Sequence, residues 1–113
     1  MTDEFAVRPR RLPPDHVLLE VVGEVDLLTA PLLLQAASAE LHAGCRALVL
    51  DLAGVGFCSV RGLGTLVEIR WLADRHGARV RVDRVSTTVR RVADLVRARE
   101  VVDGPAAPGR PEG

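Results

Sequence analysis

A thiol, a hydroxyl and a guanidinium follow one another within four residues, at Cys58, Ser59 and Arg61. They lie between an apolar run that ends near Asp51 and a segment that opens on Gly62-Leu63-Gly64. α/β proteins usually place their working surface in such a loop, between a buried strand and a helix N-terminus. Ser59 could accept a phosphate or cap the helix, and we favour the cap. Cys58 would be reactive only if the helix N-terminus lowered the pKa of its thiol.

The remaining reactive side chains form no catalytic or metal-binding pattern. His16, His42 and His76 fall in a turn and near helix ends, without the spacing of a Ser/His/Asp or metal site. Cys45 and Cys58 flank a predicted strand of roughly 20 Å, whereas a disulfide needs Cα atoms within about 7 Å. The loop also lacks the phosphate-binding P-loop pattern. We therefore expect no enzyme, no cofactor and no metal.

The charge is balanced overall but unevenly distributed. Of the 15 arginines, four precede Phe57, and of the 15 acidic residues, eight do. The first half therefore carries a net charge of −4 and the second half +4. General nucleic-acid binding needs a strong basic excess, and the three aromatic residues form no stacking platform. We expect no nucleic-acid partner.

The apolar segments are only about as long as strands. A membrane span needs roughly 20 apolar residues, and no segment approaches this. The acidic start Met1-Thr2-Asp3-Glu4 lacks the basic region of a secretory signal. We expect a cytoplasmic protein with no membrane insertion.

Hydrophobic periodicity predicts an α/β domain with the order strand, strand, helix, strand, helix, strand, helix. Residues 1–102 form this domain, and the Pro- and Gly-rich residues 103–113 are expected to be a disordered tail. Thr29 and Ser86 are predicted to open the first and third helices, and Gly44 to stop the first. The predicted strands are 5–8, 17–25, 47–52 and 79–83, the second helix is about 59–76, and the inward residues of the third are Val89, Val92, Ala93 and Val96.

Three motifs together resemble STAS domains of the anti-sigma-factor antagonist (anti-anti-sigma) family. Gly23-Glu24-Val25-Asp26 followed by Thr29-Ala30-Pro31 is similar to the family's Gly-Glu-Leu-Asp…Thr-Ala-Pro. Leu50-Asp51-Leu52-Ala53-Gly54-Val55-Gly56-Phe57 is similar to its Leu-Asp-Leu-Ser-x-Val-x-Phe, and Gly62-Leu63-Gly64 to its Gly-Leu-Gly helix start. The resemblance covers roughly residues 5–102. It implies a STAS-like single domain, a small mixed sheet of about four strands packed with three or more helices.

The resemblance also shows a departure at the family's switch. There the loop ends in Asp-Ser-Ser, and a partner that is both serine kinase and anti-sigma factor phosphorylates the second serine. This sequence has Ser59, Val60 and Arg61 instead. Arginine has no hydroxyl, so no phosphorylation is expected at Arg61, and Ser59 is a weak alternative phosphosite. We hypothesise an ion pair between Arg61 and Asp26, with Glu24 as the second candidate partner; a solvated Arg61 without a role is the alternative.

The resemblance implies a non-catalytic regulatory module that binds a GHKL-type anti-sigma factor/serine kinase through the loop and the second helix. The alternative is a STAS accessory subunit of an ABC-type (lipid) transporter. A homodimer is left open. Trp71 falls off the main inward face of the second helix, so it is either an exposed partner contact or a shielded satellite of the core. The candidate partner-binding residues are Asp26, Phe57, Cys58, Ser59, Val60, Arg61, Gly62, Leu63 and Trp71.

Overall fold

A computed structural model describes residues 4–96 of the chain. The elements follow one another in the predicted order, and the domain is a four-stranded mixed sheet with three helices. The predicted tail, residues 103–113, lies outside the described residues. The elements are β1 (Ala6–Leu12), β2 (His16–Val25), α1 (Ala30–His42), β3 (Ala47–Cys58), α2 (Val60–Arg75), β4 (Arg79–Val85) and α3 (Thr87–Leu95).

The sheet has the strand order β1-β2-β3-β4. The tight turn at 13–15 makes β1 and β2 antiparallel, while the helical crossovers α1 and α2 make β2, β3 and β4 parallel. The carboxyl ends of β2 and β3 therefore lie at the same edge of the sheet. The connections that follow these two strands meet there.

One face of the sheet carries the core. Facing pairs such as Val17 with Leu48 and Leu19 with Leu50 are fully buried. α1 and α2 pack on this face and on each other. Leu33 of α1 and Ile69 of α2 are completely shielded from solvent, as the helical spacing predicts. Because α1 and α2 pack on the sheet in this way, they hold in place the end of the sheet at which the predicted loop lies.

The third strand is longer than its apolar run predicts. We expected it to end at Leu52 and a Gly-bearing loop to follow, but β3 continues to Cys58. The extension pairs with β2, up to Val25 opposite Cys58, through two register shifts. Bulges of this kind accommodate residues of low strand propensity such as Gly54. The predicted loop is therefore wrong as to its length: a paired strand leads directly into α2.

The helix ends agree with the sequence in two cases and differ in two. Ser59 and Ser86 cap α2 and α3, accepting hydrogen bonds from Gly62 N (3.1 Å) and Val89 N (3.3 Å). Thr29 precedes α1 but makes no capping hydrogen bond with its side chain. Val96 was expected inward but is 41 % exposed, because α3 ends at Leu95.

Between residues 4 and 96, no helix combines the length and hydropathy that crossing a bilayer requires.

Candidate functional site

Two chain segments meet at the carboxyl ends of β2 and β3. Ser59 N donates a hydrogen bond to Val25 O at 2.9 Å, so the start of α2 is bonded directly to the end of β2. A Cβ atom on Gly62 would lie 2.8 Å from Val25 O and from Cys58 Sγ. Only glycine permits this approach without a shift of the backbone. The Gly-Leu-Gly motif therefore brings the first turn of α2 close to the β2–α1 turn.

Asp26 organises the β2–α1 turn. Its Oδ1 accepts hydrogen bonds from Leu28 N (3.0 Å) and Thr29 N (3.1 Å). Thr29 Oγ1 accepts one from Asp26 N (2.9 Å) and donates one to Glu24 O (2.6 Å). The hydrogen bond from the Thr29 backbone is the main reason that the pKa of Asp26 is lowered. The Asp…Thr motif therefore stabilises the turn through hydrogen bonds between Asp26 and Thr29. The predicted capping role of the Thr29 side chain is wrong.

Arg61 makes no ion pair with Asp26, so that hypothesis is wrong. The ion pairs within residues 4–96 do not include either side chain. The physical reason is that the Asp26 carboxylate already binds the amides of its own turn. Arg61 is exposed in the first turn of α2, where there is no acidic residue. It therefore adds a cation to the positive end of the helix dipole.

Ser59 and Cys58 are held in structural roles. Ser59 is half-buried and its hydroxyl accepts the Gly62 amide, as expected for a cap. Cys58 is 2 % exposed, and burial raises the pKa of its thiol to about 11. That shift is opposite to the one a reactive thiol requires. Cys45 and Cys58 are both free and buried, in agreement with the prediction that they do not pair.

Large apolar side chains are exposed on both of the segments that meet at the start of α2. Phe57 and Val60 are 45 % and 61 % exposed on the β3–α2 side. Three leucines of the β2–α1 side, which the sequence analysis missed, are 50–80 % exposed. The sequence did contain a signal for them. Leu27 and Leu28 stand next to each other in a turn, and the helix that follows already has other residues, such as Leu33 and Leu41, for its inward positions. We call the set the apolar rim: Leu27, Leu28, Leu32, Phe57 and Val60.

The remaining candidate residues divide between support and a separate patch. Cys58, Gly62 and Leu63 are buried, so they support the rim from within. Trp71 is 68 % exposed, as the first of its two interpretations predicted. It lies about 16 Å along α2 from Val60 at 1.5 Å per residue, beside a groove between α1 and α2 that Leu34 and Glu68 also line. The length of α2 therefore separates Trp71 from Val60.

Comparisons with known proteins agree with this geometry. The family model described as "Mlab, STAS domain" matches residues 10–103. A solved anti-sigma factor antagonist from Mycobacterium paratuberculosis is 25 % identical with a TM-score of 0.75, over 88 % of this chain and 84 % of that one. Among curated proteins, none matches the chain.

Two further solved structures share the fold. A putative anti-sigma factor antagonist from Thermotoga maritima is 23 % identical, with a TM-score of 0.71, and the match covers 87 % of this chain and 82 % of that one. The anti-sigma factor antagonist SpoIIAA of Bacillus, in its unphosphorylated form, is 17 % identical with a TM-score of 0.71 over 84 % of each chain. The matched family model covers most of the chain, and the structures share its sheet and helices. The chain therefore belongs to the STAS domain family and resembles its anti-sigma-factor antagonists.

Proposed function

We propose that this protein is a non-catalytic regulatory module that binds a protein partner through the apolar rim and Arg61. The observation that carries the proposal is the rim itself. Five large apolar side chains are exposed on two adjacent segments. Contiguous exposed apolar surface with a polar border is typical of protein-binding sites. We call the rim together with Arg61 the docking surface.

The partner that we propose is a GHKL-type anti-sigma factor/serine kinase, on the strength of the resemblance to anti-sigma-factor antagonists. Arg61 adds a requirement of its own. A cation in the first turn of a helix is unfavourable by about 0.3–1 kcal/mol when it is exposed, and none of the ion pairs within residues 4–96 relieves it. A carboxylate on the partner would relieve it. We therefore propose that the partner presents an acidic side chain to Arg61.

Binding is proposed to be constitutive, without control by phosphorylation at residue 61. Ser59 is a poor substitute acceptor because its hydroxyl is half-buried and caps α2. After incubation with its GHKL-type partner and ATP, the protein should therefore show no added phosphate when its mass is measured by intact-mass spectrometry. Phosphate that is lost in Ser59→Ala would show instead that the switch has moved to Ser59.

The binding test uses the purified GHKL-type proteins encoded in the same genome, each titrated calorimetrically with the full chain. The double variant Leu28→Gln/Leu32→Gln should weaken binding at least tenfold, since each buried leucine contributes about 1.5–3 kcal/mol. The control is Leu95→Gln, which alters a leucine of α3 that is 78 % exposed and lies outside the docking surface. Equal losses in both variants, or no binding by any GHKL-type protein, would refute the proposal.

Arg61 and Trp71 are tested in the same titrations. Arg61→Glu should weaken binding more than Arg61→Ser, because it opposes the proposed carboxylate of the partner with a like charge. Trp71 is proposed as a second contact, since an exposed tryptophan is a common hot spot. If Trp71→Ala binds as well as the unaltered chain, the partner does not extend to the groove between α1 and α2.

The second candidate function is a STAS accessory subunit of an ABC-type (lipid) transporter. One observation favours it: the family model that matches carries the description "Mlab, STAS domain", and not that of an anti-sigma-factor antagonist. The docking surface would then bind an ABC ATPase. Co-purification of the tagged chain with an ABC ATPase from its own operon, abolished by Leu28→Gln/Leu32→Gln, would select this function.

Sedimentation equilibrium of the chain alone decides whether it forms the homodimer that the sequence left open.

A further inference from the structure

Two histidines that are distant in the sequence lie together at the ends of the two crossover helices. His42 is in the last turn of α1, and His76 directly follows α2. Their ring centroids are 4.8 Å apart, and the ring planes cross at 65°. Both residues are exposed to solvent. The packing of α1 on α2 brings the rings together, so the spacing of the histidines along the chain did not predict the pair.

The backbone fixes the tautomer of both rings. His42 Nδ1 lies 2.9 Å from Ser38 O, and His76 Nδ1 lies 3.0 Å from Leu72 O. A carbonyl oxygen can only accept a hydrogen bond, so each Nδ1 carries the proton and donates it. In the neutral imidazole, Nε2 is then left with a lone pair. Within residues 4–96, no hydrogen bond or ion pair occupies the Nε2 atom of either ring.

Histidines that bind metals have the same hydrogen-bond pattern. Such a histidine almost always donates its second ring N–H to a carbonyl or carboxylate, which fixes the ring and raises the basicity of the ligating nitrogen. Imidazole nitrogens suit Zn²⁺, Ni²⁺ and Cu²⁺. With metal–nitrogen bonds of about 2.0–2.1 Å, two imidazoles on one ion have centroids about 4.5–5.3 Å apart at bond angles of about 90–110°. The observed separation of 4.8 Å lies within this range.

The two helix ends also favour a cation at this position. α1 ends at His42 and α2 ends at Arg75, so both rings lie at carboxyl ends, where the aligned peptide dipoles attract positive charge. The side chains of Asp74 and Arg75 beside His76 offset each other in charge. α1 and α2 connect parallel strands, so their carboxyl ends lie at the amino ends of β3 and β4. The pair is therefore at the opposite end of the sheet from the docking surface.

We propose that His42 and His76 together bind one divalent transition-metal ion, of the class of Zn²⁺ or Ni²⁺, through their Nε2 atoms. Water or a ligand from another molecule completes the coordination, because the described residues contain no cluster of three or more metal-binding side chains. Ser38 and Leu72, whose carbonyls orient the rings, also line the groove beside Trp71. The ion would therefore hold the two walls of that groove together at one end. The site goes beyond the proposed docking function and does not depend on it.

The test is a calorimetric titration of the full-length chain, without an affinity tag, with the chlorides of Zn²⁺, Ni²⁺, Mn²⁺ and Mg²⁺. We expect saturable binding of Zn²⁺ and Ni²⁺, weaker binding of Mn²⁺, and none of Mg²⁺, which prefers oxygen ligands. In NMR spectra of the histidine rings, Zn²⁺ should shift the signals of His42 and His76 and leave those of His16 unchanged. Zn²⁺ at about ten times its Kd should raise the Tm by about 5–10 °C.

Three single variants separate a shared ion from single histidines. His42→Gln and His76→Gln should each weaken Zn²⁺ binding at least tenfold, because one imidazole remains as the only protein ligand. His16→Gln is the matched control, since His16 is also exposed but lies outside the pair; it should leave the Kd within twofold. Circular dichroism checks that all three variants remain folded. Leu28→Gln/Leu32→Gln should bind Zn²⁺ normally, so failure of the docking surface and failure of this site are separable.

The stoichiometry and the pattern of losses decide the proposal. One ion per chain, lost in His42→Gln and in His76→Gln but kept in His16→Gln, supports the site. One ion per two chains with the same losses also supports it and identifies a second copy as the source of the remaining ligands. Loss in only one of the two variants, equal losses in all three, or no saturable binding would overturn it. The two rings would then form only an edge-to-face packing contact.

Discussion

Asp51 of β3 accepts a hydrogen bond from Arg84 Nη2 of β4 at 2.8 Å, which joins the two strands through a buried carboxylate. Burial alone would raise the pKa of Asp51, but the hydrogen bond from Arg84, together with one from Ala53 N at 3.0 Å, outweighs it. The pKa of this carboxyl is therefore lowered below its ordinary value of 3.8. The same interaction raises the pKa of Arg84.

Arg84→Gln should destabilise the fold by about 1–3 kcal/mol, because it leaves the Asp51 carboxylate buried with one fewer donor. Arg81→Gln is the control, since its ion pair with Asp83 is longer and more exposed; it should change the free energy of unfolding by less than about 0.5 kcal/mol. Urea unfolding at pH 7 measures both. Equal effects would mean that the Asp51–Arg84 pair contributes no more than an ordinary surface pair.

The Asp51 pair also predicts how stability depends on pH. A carboxyl whose pKa is lower in the folded state contributes stability above its unfolded pKa and loses it as the pH falls through the folded value. Stability should therefore decline below about pH 4, the unfolded value of an aspartate. Asp51→Asn should flatten this decline, and Asp26, whose pKa is also lowered, should retain part of it. Urea unfolding at intervals from pH 3 to 7 checks the prediction, which an unchanged slope in Asp51→Asn would contradict.

The two glycines at the start of α2 should respond oppositely to alanine. A Cβ on Gly62 would lie 2.8 Å from three atoms of Val25 and Cys58, whereas one on Gly64 would meet nothing within 4 Å. Gly62→Ala should therefore destabilise by about 1–3 kcal/mol through overpacking. Gly64→Ala should stabilise by about 0.5–1 kcal/mol, because alanine favours the helix. Thermal unfolding of the two variants tests this. A stabilised Gly62→Ala would show that Val25 and Cys58 can move aside for the added methyl group at little cost.

Both serine caps should stabilise the fold, and Ser86 should contribute more than Ser59. Ser59→Ala and Ser86→Ala each remove a side-chain acceptor from a helix start, which costs about 1 kcal/mol. Ser86 Oγ also donates to Val55 O at 2.7 Å, so its loss should be the larger. Urea unfolding compares the two. A negligible loss in Ser59→Ala would argue that its hydroxyl is available for another role.

Cys58 should resist alkylation in the folded protein. Burial raises the pKa of its thiol from 9.0 to about 11, so the thiolate fraction at pH 8 falls about a hundredfold on pKa grounds alone. Iodoacetamide labelling of Cys45→Ala, which leaves Cys58 as the single thiol, should be slow in buffer and fast in 6 M urea. Fast labelling in buffer would restore the reactive-thiol interpretation.

The sequence predicted the order and type of the elements because their periodicities are strong, as in the strict alternation of 79–83. It also predicted the Ser59 cap, because a serine immediately before a helix is a local signal that does not depend on the tertiary fold. It could not predict that β3 would extend to Cys58, because the register shifts that accommodate Gly54 depend on pairing with β2. The Arg61–Asp26 pair failed because closeness in the fold does not show which donors a carboxylate already binds. The exposed leucines of the rim were missed because Leu27 and Leu28 fall between a predicted strand and a predicted helix, where no periodicity indicates exposure or burial.

The two outer strands of the sheet have a consequence for self-association. A free strand edge is a template for pairing with another copy, and proline and long charged side chains on it oppose such pairing. β1 carries Pro9 among three arginines, and β4 carries Arg79, Arg81 and Arg84. The residues of both edge strands therefore oppose edge-to-edge aggregation. Assembly of this chain into larger complexes is therefore expected through side-chain surfaces and not through continuation of the backbone ladder at β1 or β4.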